Sequence, residues 1–218
     1  MFVALLMVGC GESTKPAEGV DMTDTAPKKD ALETAVDWSK LQDRSGVTYL
    51  PNTDKPFSGN AKRAYENEQV GVLAEFKDGY VVRLKQWLEN GTPRWDVGYM
   101  EGKVGVDGMP WSGVKFVHAH GSATIWHRNG QKEEESNWKD GKKNGLMTLW
   151  HKNGQKEGEG NWKEGYPVGL WTYWYGNGQK EEEGNLKDGE QDGLWVFYNE
   201  DGTEGGRRTY KDGVKVED

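Results

Sequence analysis

Several side chains in this sequence stand at spacings where chemistry is conceivable. Two runs of three carboxylates, Glu133-Glu134-Glu135 and Glu181-Glu182-Glu183, offer the paired acids that general acid–base catalysis uses. His118-Ala119-His120 would set two imidazoles on one side of a strand, half of a metal site that lacks a third ligand nearby in sequence. His127 and His151 recur at one spacing, with Tyr175 next in line. Trp126, Trp150, Trp174 and Tyr198 recur in the same way, beside Glu157, Glu159 and Glu181. Rings beside carboxylates suit cationic ligands, and flat rings also stack on sugars or peptide side chains. The competing reading is that the rings pack on one another and on lysine stems.

Recurrence itself decides among these. Residues 121–213 spell one 24-residue phrase four times: Asn137-Trp138-Lys139-Asp140-Gly141 returns as Asn161-Trp162-Lys163-Glu164-Gly165 and as Asn185-Leu186-Lys187-Asp188-Gly189, then fades to Thr209-Tyr210-Lys211-Asp212-Gly213. A fixed period of this length marks a repeat architecture. The two carboxylate triplets fall at the same place in their copies, which fits a surface strand better than a single active centre. No nucleophile–base pairing, phosphate-cradling glycine loop or zinc signature stands out. The expectation is therefore a non-enzymatic protein with no catalytic residues, no metal and no cofactor, whose candidate binding face is the ladder Trp126, Trp150, Trp174 and Tyr198.

Each copy reads as two strands and two turns. Leu146-Met147-Thr148-Leu149-Trp150 and Leu170-Trp171-Thr172-Tyr173-Trp174-Tyr175 suit a pleated surface. Asn129-Gly130, Asn153-Gly154 and Asn177-Gly178 predict two-residue type I′ hairpin turns, and Lys163-Glu164-Gly165 turns the chain again. Counting outward from Asn153-Gly154 sets Leu149 opposite Gly158 and Met147 opposite Gly160, with Trp162 on the same side. Trp150, Thr148 and Leu146 then oppose Glu157, Glu159 and Asn161 on the other face. The first face, with bulky groups over glycine gaps, is expected to be the better buried. The fold class that follows is all-β, an extended meandering antiparallel sheet of stacked 24-residue hairpins.

The rest of the chain is organised around that array. Of 218 residues only 34% are hydrophobic, 31 are glycine and 11 are tryptophan, and the mean hydropathy is −0.93. A thin sheet held by neighbour contacts needs less core than a globule. The net charge of −8 argues against nucleic acid and against an anionic membrane surface. Residues 57–102 hold degenerate copies, in which Tyr65 stands for the repeat tryptophan and Phe76-Lys77-Asp78-Gly79 for the turn phrase. The spacing breaks at about residues 104–120, where an additional strand or a protruding loop is expected. Val36 to Leu41 suggests one helical turn and Val47 to Leu50 a first strand, opening a repeat domain over residues 36–218. Residues 11–35 are polar and read as a flexible tether. At the C-terminal edge Lys215, Glu217 and Asp218 would discourage strand pairing.

Two resemblances follow from residues already quoted. Phe2 to Val8 is apolar, and Leu6-Met7-Val8-Gly9-Cys10 resembles the lipobox of bacterial lipoproteins, with Cys10 the only cysteine of the chain. It implies a signal segment over residues 1–10, a lipid on Cys10, and attachment to a membrane of the cell envelope through that lipid. The stretch from Gly169 to Gly189, Gly-Leu-Trp-Thr-Tyr-Trp-Tyr-Gly-Asn-Gly-Gln-Lys-Glu-Glu-Glu-Gly-Asn-Leu-Lys-Asp-Gly, resembles the MORN-repeat variant of bacterial proteins labelled YwqK-family antitoxins. That resemblance implies a protein partner, in the antitoxin case a toxin neutralised by binding. Short tryptophan-rich hairpins also resemble cell-wall and carbohydrate-binding repeats. The leading expectation is an envelope lipoprotein whose sheet binds or scaffolds a protein.

Overall fold

The computed structural model describes residues 29–105 and 116–216. Cys10, the signal segment, most of the tether and the motif Pro110-Trp111-Ser112-Gly113 lie outside the described residues. Within them the chain is nearly all strand. Fourteen strands form one sheet, and a two-stranded hairpin, β2 (Gln42–Arg44) with β3 (Val47–Tyr49), stands apart. The sheet opens with β1 (Val36–Asp37), which lies parallel to β4 (Gly59–Ala64). From β4 onward every neighbour is antiparallel and follows in chain order. This is the expected meander.

The regular copies are the hairpins β8 (Ala119–Trp126) with β9 (Lys132–Lys139), β10 (Lys142–Trp150) with β11 (Lys156–Lys163), β12 (Tyr166–Trp174) with β13 (Lys180–Lys187), and β14 (Glu190–Tyr198) with β15 (Glu204–Lys211). A short β16 (Val214–Val216) closes the order. The register is the counted one for Met147 with Gly160, Leu149 with Gly158, Thr148 with Glu159 and Leu146 with Asn161. Trp150 departs from it: a bulge sets it opposite Lys156 rather than Glu157.

The turn types are the reverse of those expected. The two-residue type I′ loops are the acidic ones, where Glu164 (φ 51°) and Gly165 (φ 90°) both adopt left-handed backbone, as do Asp140-Gly141, Asp188-Gly189 and Asp212-Gly213. At the Asn-Gly loops only the glycine does, Gly154 at φ 83°. There the Gly154 N–H donates to the His151 carbonyl and the His151 N–H to the Gln155 carbonyl, both at 2.9 Å. This is a three-residue loop ending in a glycine bulge, and it produces the slip at Trp150. Asn153 is kept out of left-handed backbone because its Oδ1 accepts the Gln155 N–H at 3.0 Å, an Asx turn.

One face carries the core, in two clusters. The first gathers Phe57, Ala61, Ala74, Phe76, Val81 and Val97 with their neighbours, and is covered by Val36, Trp38, Leu41 and Leu50 from the opening segments. The second gathers Met147, Trp171, Leu186 and Trp195, with Leu149, Trp162, Tyr173, Phe197 and Tyr210 packed beside them. These lie on the face expected to be buried. The indoles of Trp171 and Trp195 lie on Gly160 and Gly184, where any Cβ would collide with the ring. Each indole N–H donates to a backbone carbonyl, Asn161 at 3.2 Å and Asn185 at 3.1 Å.

Other expectations need correction. Tyr65 does not take the place of the repeat tryptophan. Its N–H bonds Gln69 as His127 bonds Gln131, so it stands one position later, and Ala64 holds the tryptophan's place at the bulge. The tether is not featureless to residue 35, since Lys29–Glu33 is a short helix, α1, steadied by a 3.7 Å Lys29–Glu33 ion pair and by Thr34 Oγ1 donating to Asp30. Trp38–Lys40 is one 3-10 turn, while Val47–Tyr49 pairs outside the main sheet. The expected additional strand or protruding loop at the rhythm break falls largely on residues 106–115, which lie outside the described residues. Phe116–His118 is a 3-10 turn, and β7 (Pro93–Tyr99) pairs directly with β8, leaving the sheet continuous.

Candidate functional site

The face opposite the tryptophan core is built from one row repeated across the sheet. Thr124, Glu135, Thr148, Glu159, Thr172 and Glu183 stand opposite one another in successive strands. Toward the Asn-Gly turns lies the ladder Trp126, Trp150, Trp174 and Tyr198, each half-buried. Three of the four rings carry a lysine. Lys132 Nζ sits 5.5 Å from the Trp150 ring centre, Lys156 Nζ 5.2 Å from that of Trp174, and Lys180 Nζ 5.9 Å from that of Tyr198.

Each of these lysines also donates to the glutamate three residues on, Lys132 to Glu135 and Lys156 to Glu159 at 2.8 Å, and Lys180 to Glu183 at 2.7 Å. The bulge brings residues three apart to one side. Tyr198 Oη completes the last unit by donating to Glu183 at 2.8 Å. The Lys180 hydrogen bond holds the Glu183 carboxyl below its ordinary value, and the same carboxylate holds the Tyr198 phenol above its own. Cation–π attraction, considered above as a means of binding a ligand, is here made with the protein's own ammonium groups.

The histidines act as connectors. His127 Nε2 lies 2.8 Å from the Trp150 carbonyl and His151 Nε2 2.7 Å from the Trp174 carbonyl, each donating across to the next hairpin. Tyr175 Oη does the same to Tyr198 at 2.9 Å, and Tyr65 Oη to Trp87 at 3.0 Å. The turn asparagines add a second link: Asn129, Asn153 and Asn177 donate to the carbonyls of Lys152, Gly176 and Glu200 at 2.6 to 2.8 Å. His118 and His120 are parted, the first ending the 3-10 turn and the second lying 3.5 Å from Asp140. Among the described residues no three His, Cys, Asp or Glu gather as metal ligands. The two glutamate triplets are split by the pleat. Glu182 turns to the core face beside Tyr173 and Phe197, where burial first and Glu181 second push its carboxyl up, while Arg208 works against them.

Toward the acidic turns the same outer face shows what sequence reasoning overlooked. Leu146 is 48% exposed, Leu170 59% and Leu194 48%. They hold one position in three successive copies and alternate with Asn161, Asn185 and Thr209. The signal was present, since counting from the turn put Leu146 on the same face as Trp150. In each copy the leucine stands four residues before the ring, with the threonine or valine of the outer row between them.

Three consecutive segments, residues 119–140, 143–164 and 167–188, match the family model of the MORN repeat variant. The regular hairpins are therefore MORN-like copies, and the matches begin at the first residue of β8 and at the second residues of β10 and β12. No curated protein matches the chain. Among solved structures, the crystal structure of TarM aligns at 11% identity over 59% of this chain and 21% of its own, with a TM-score of 0.24. An S. aureus TarM mutant in complex with Fondaparinux, alpha-GlcNAc-glycerol and UDP aligns at 7% identity over 75% of this chain and 22% of its own, with a TM-score of 0.25. The chain thus spans about a fifth of the length of these structures, and neither likeness bears on function.

Proposed function

We infer that the MORN-like sheet is a non-enzymatic surface that binds or scaffolds a protein, presented in the bacterial cell envelope by a lipid on Cys10. MORN repeats are generally protein- or membrane-binding motifs. The observation that carries the reading is the line of Leu146, Leu170 and Leu194, exposed at one position in successive copies. Single exposed leucines are ordinary, and what supports an interaction site is that the same position is exposed in three successive copies of one face. Polar residues 11–35 would then act as the spacer between lipid and sheet.

A photo-crosslinking amino acid at position 170, placed in the full chain in its source cell, tests the surface. The expected result is a discrete protein adduct in the envelope fraction, lost when Leu146 and Leu194 are both changed to serine. No adduct, or one indifferent to those serines, would remove the protein-binding reading. A cytosolic adduct would favour the antitoxin role instead, and adducts with wall fragments the wall-binding one. Palmitate labelling lost in Cys10→Ser is expected for the anchor; an unlabelled, freely soluble wild type would remove it.

A further inference from the structure

We propose that Glu182, between Tyr173 and Phe197 on the core face, is a binding site for a primary ammonium group, from a protein lysine or a free amine. The site lies on the opposite side of the sheet from the leucine line and does not depend on what that line binds. Glu182 stands directly opposite Tyr173 on one side and Phe197 on the other. Side chains so opposed in an antiparallel pair have their Cβ atoms about 4.5–5.5 Å apart. All three are half-buried, so the row is shielded yet open to a ligand. A carboxylate flanked by two rings offers a cation a charged hydrogen-bond acceptor and aromatic surface together.

The chain itself shows what such a place holds. Two copies earlier, Glu134 pairs with the Lys143 ammonium at 2.8 Å, and that ammonium also lies 5.8 Å and 5.2 Å from the ring centres of Trp138 and Trp162. Glu182 holds the position of Glu134, but Gln191 holds that of Lys143. In the copy between them acid and base are both replaced, by Gly158 and Pro167. Glu182 is therefore an acid whose lysine is missing, and among the described residues no cation forms an ion pair with it. Burial pushes its carboxyl up and Glu181 adds to this, as expected of a charge without its counter-ion. The Tyr173 phenol is likewise pushed up, by burial first and by Glu182 second, which sets carboxylate and phenol in one shielded space. The competing cation is Arg208, which draws the Glu182 carboxyl down while its guanidinium lies over Phe197, 4.6 Å from the ring centre. Its place there shows that this ring accepts a cation. A divalent metal is the poorer fit, since among the described residues no three metal-ligating side chains gather.

The probes are a capped Gly-Lys-Gly peptide, the same peptide with its lysine acetylated, and butylamine, each titrated into the full chain at neutral pH. Binding is followed by nuclear magnetic resonance, from the ring signals of Tyr173 and Phe197 and the carboxyl signal of Glu182. A saturable shift of all three signals is expected with the lysine peptide and none with its acetylated form. Tighter binding of the peptide than of butylamine assigns the ammonium to a protein, and the reverse assigns it to free amines. Either result upholds the site. Glu182→Gln is expected to weaken binding roughly tenfold or more, the loss of a charge-assisted hydrogen bond. Phe197→Leu should weaken it about threefold, the share of one ring, and Arg208→Gln should strengthen it.

The proposal is overturned if neither the lysine peptide nor butylamine gives a saturable shift, or if Glu182→Gln binds them as well as wild type. It is also overturned if the acetylated peptide binds equally, because the positive charge is then not what is recognised. Removing a carboxyl that burial pushes up should stabilise the chain at neutral pH, so lost binding in Glu182→Gln is not lost fold. Unchanged near-ultraviolet dichroism of the core tryptophans verifies the same for Phe197→Leu.

Discussion

At the scale of single residues, this sheet is held by what its glycines leave out. Gly160 and Gly184 give their Cβ space to the indoles of Trp171 and Trp195, whereas a Cβ on Gly158 would meet the Tyr173 ring at 3.2 Å. Gly160→Ala should therefore cost about 1–3 kcal/mol in urea unfolding, the usual range for overpacking, and Gly158→Ala clearly less. Glu182 makes a pH-dependent counterpart. Its carboxyl is raised above the ordinary 4.5, chiefly by burial, so the folded chain keeps that proton where the unfolded chain has lost it. This contribution to stability is present at low pH and is lost as pH rises through 4.5 and beyond. Relative to wild type, Glu182→Gln should gain stability at neutral pH and lose that advantage on acidification, read from unfolding midpoints across the range. Glu183 has the opposite sign, since the Lys180 bond lowers its carboxyl and its contribution is lost as pH falls.

Between hairpins, the links are side chains that reach one copy ahead. Asn153 uses its carbonyl oxygen for its own turn and its amide for Gly176 of the next hairpin. Asn153→Asp keeps the first bond, loses the second and faces a carboxylate toward a carbonyl. The expected cost is about 1 kcal/mol or somewhat more. Asp201 holds the same position in the last hairpin, accepts the Thr203 N–H at 2.9 Å, and among the described residues has no carbonyl ahead of it. Asp201→Asn should accordingly change the unfolding midpoint little. Much of the element level was legible: the period, the strands, the register of Met147 with Gly160, and the face holding the tryptophans. The turns were not, because Asn-Gly serves both two- and three-residue loops. What chooses between them is the Asx bond to Gln155, which a dipeptide does not display. The same one-residue bulge misplaced Tyr65 and set Trp150 beside Lys156.

Across the whole molecule, two clusters share one sheet without sharing a residue. The first is roofed by residues from the opening segments, while the second is stabilised by rings laid on their own strands. Stability should then be nearly a sum of copies and their neighbour contacts. Removing residues 190–218 is expected to leave a chain that still unfolds cooperatively, with a smaller m-value in urea. Loss of near-ultraviolet dichroism from the remaining tryptophans would contradict this. The candidate surface was less legible than the sheet for a physical reason. Periodicity tells which residues share a face, but exposure depends on what crosses that face. Lys132, Lys156 and Lys180 lie over Trp150, Trp174 and Tyr198, three of the four rings the sequence advertised, and leave Leu146, Leu170 and Leu194 exposed.

The unbroken phase of the regular hairpins carries a consequence for how such a chain changes over generations. Each ends in the backbone conformation with which the next begins, so a copying slip that drops or doubles one whole cassette rejoins every link on both sides. The leucine line would shorten or lengthen by one tooth each time. Under the proposed protein-binding role, cassette number would serve as a ruler, and a longer array would offer a longer surface.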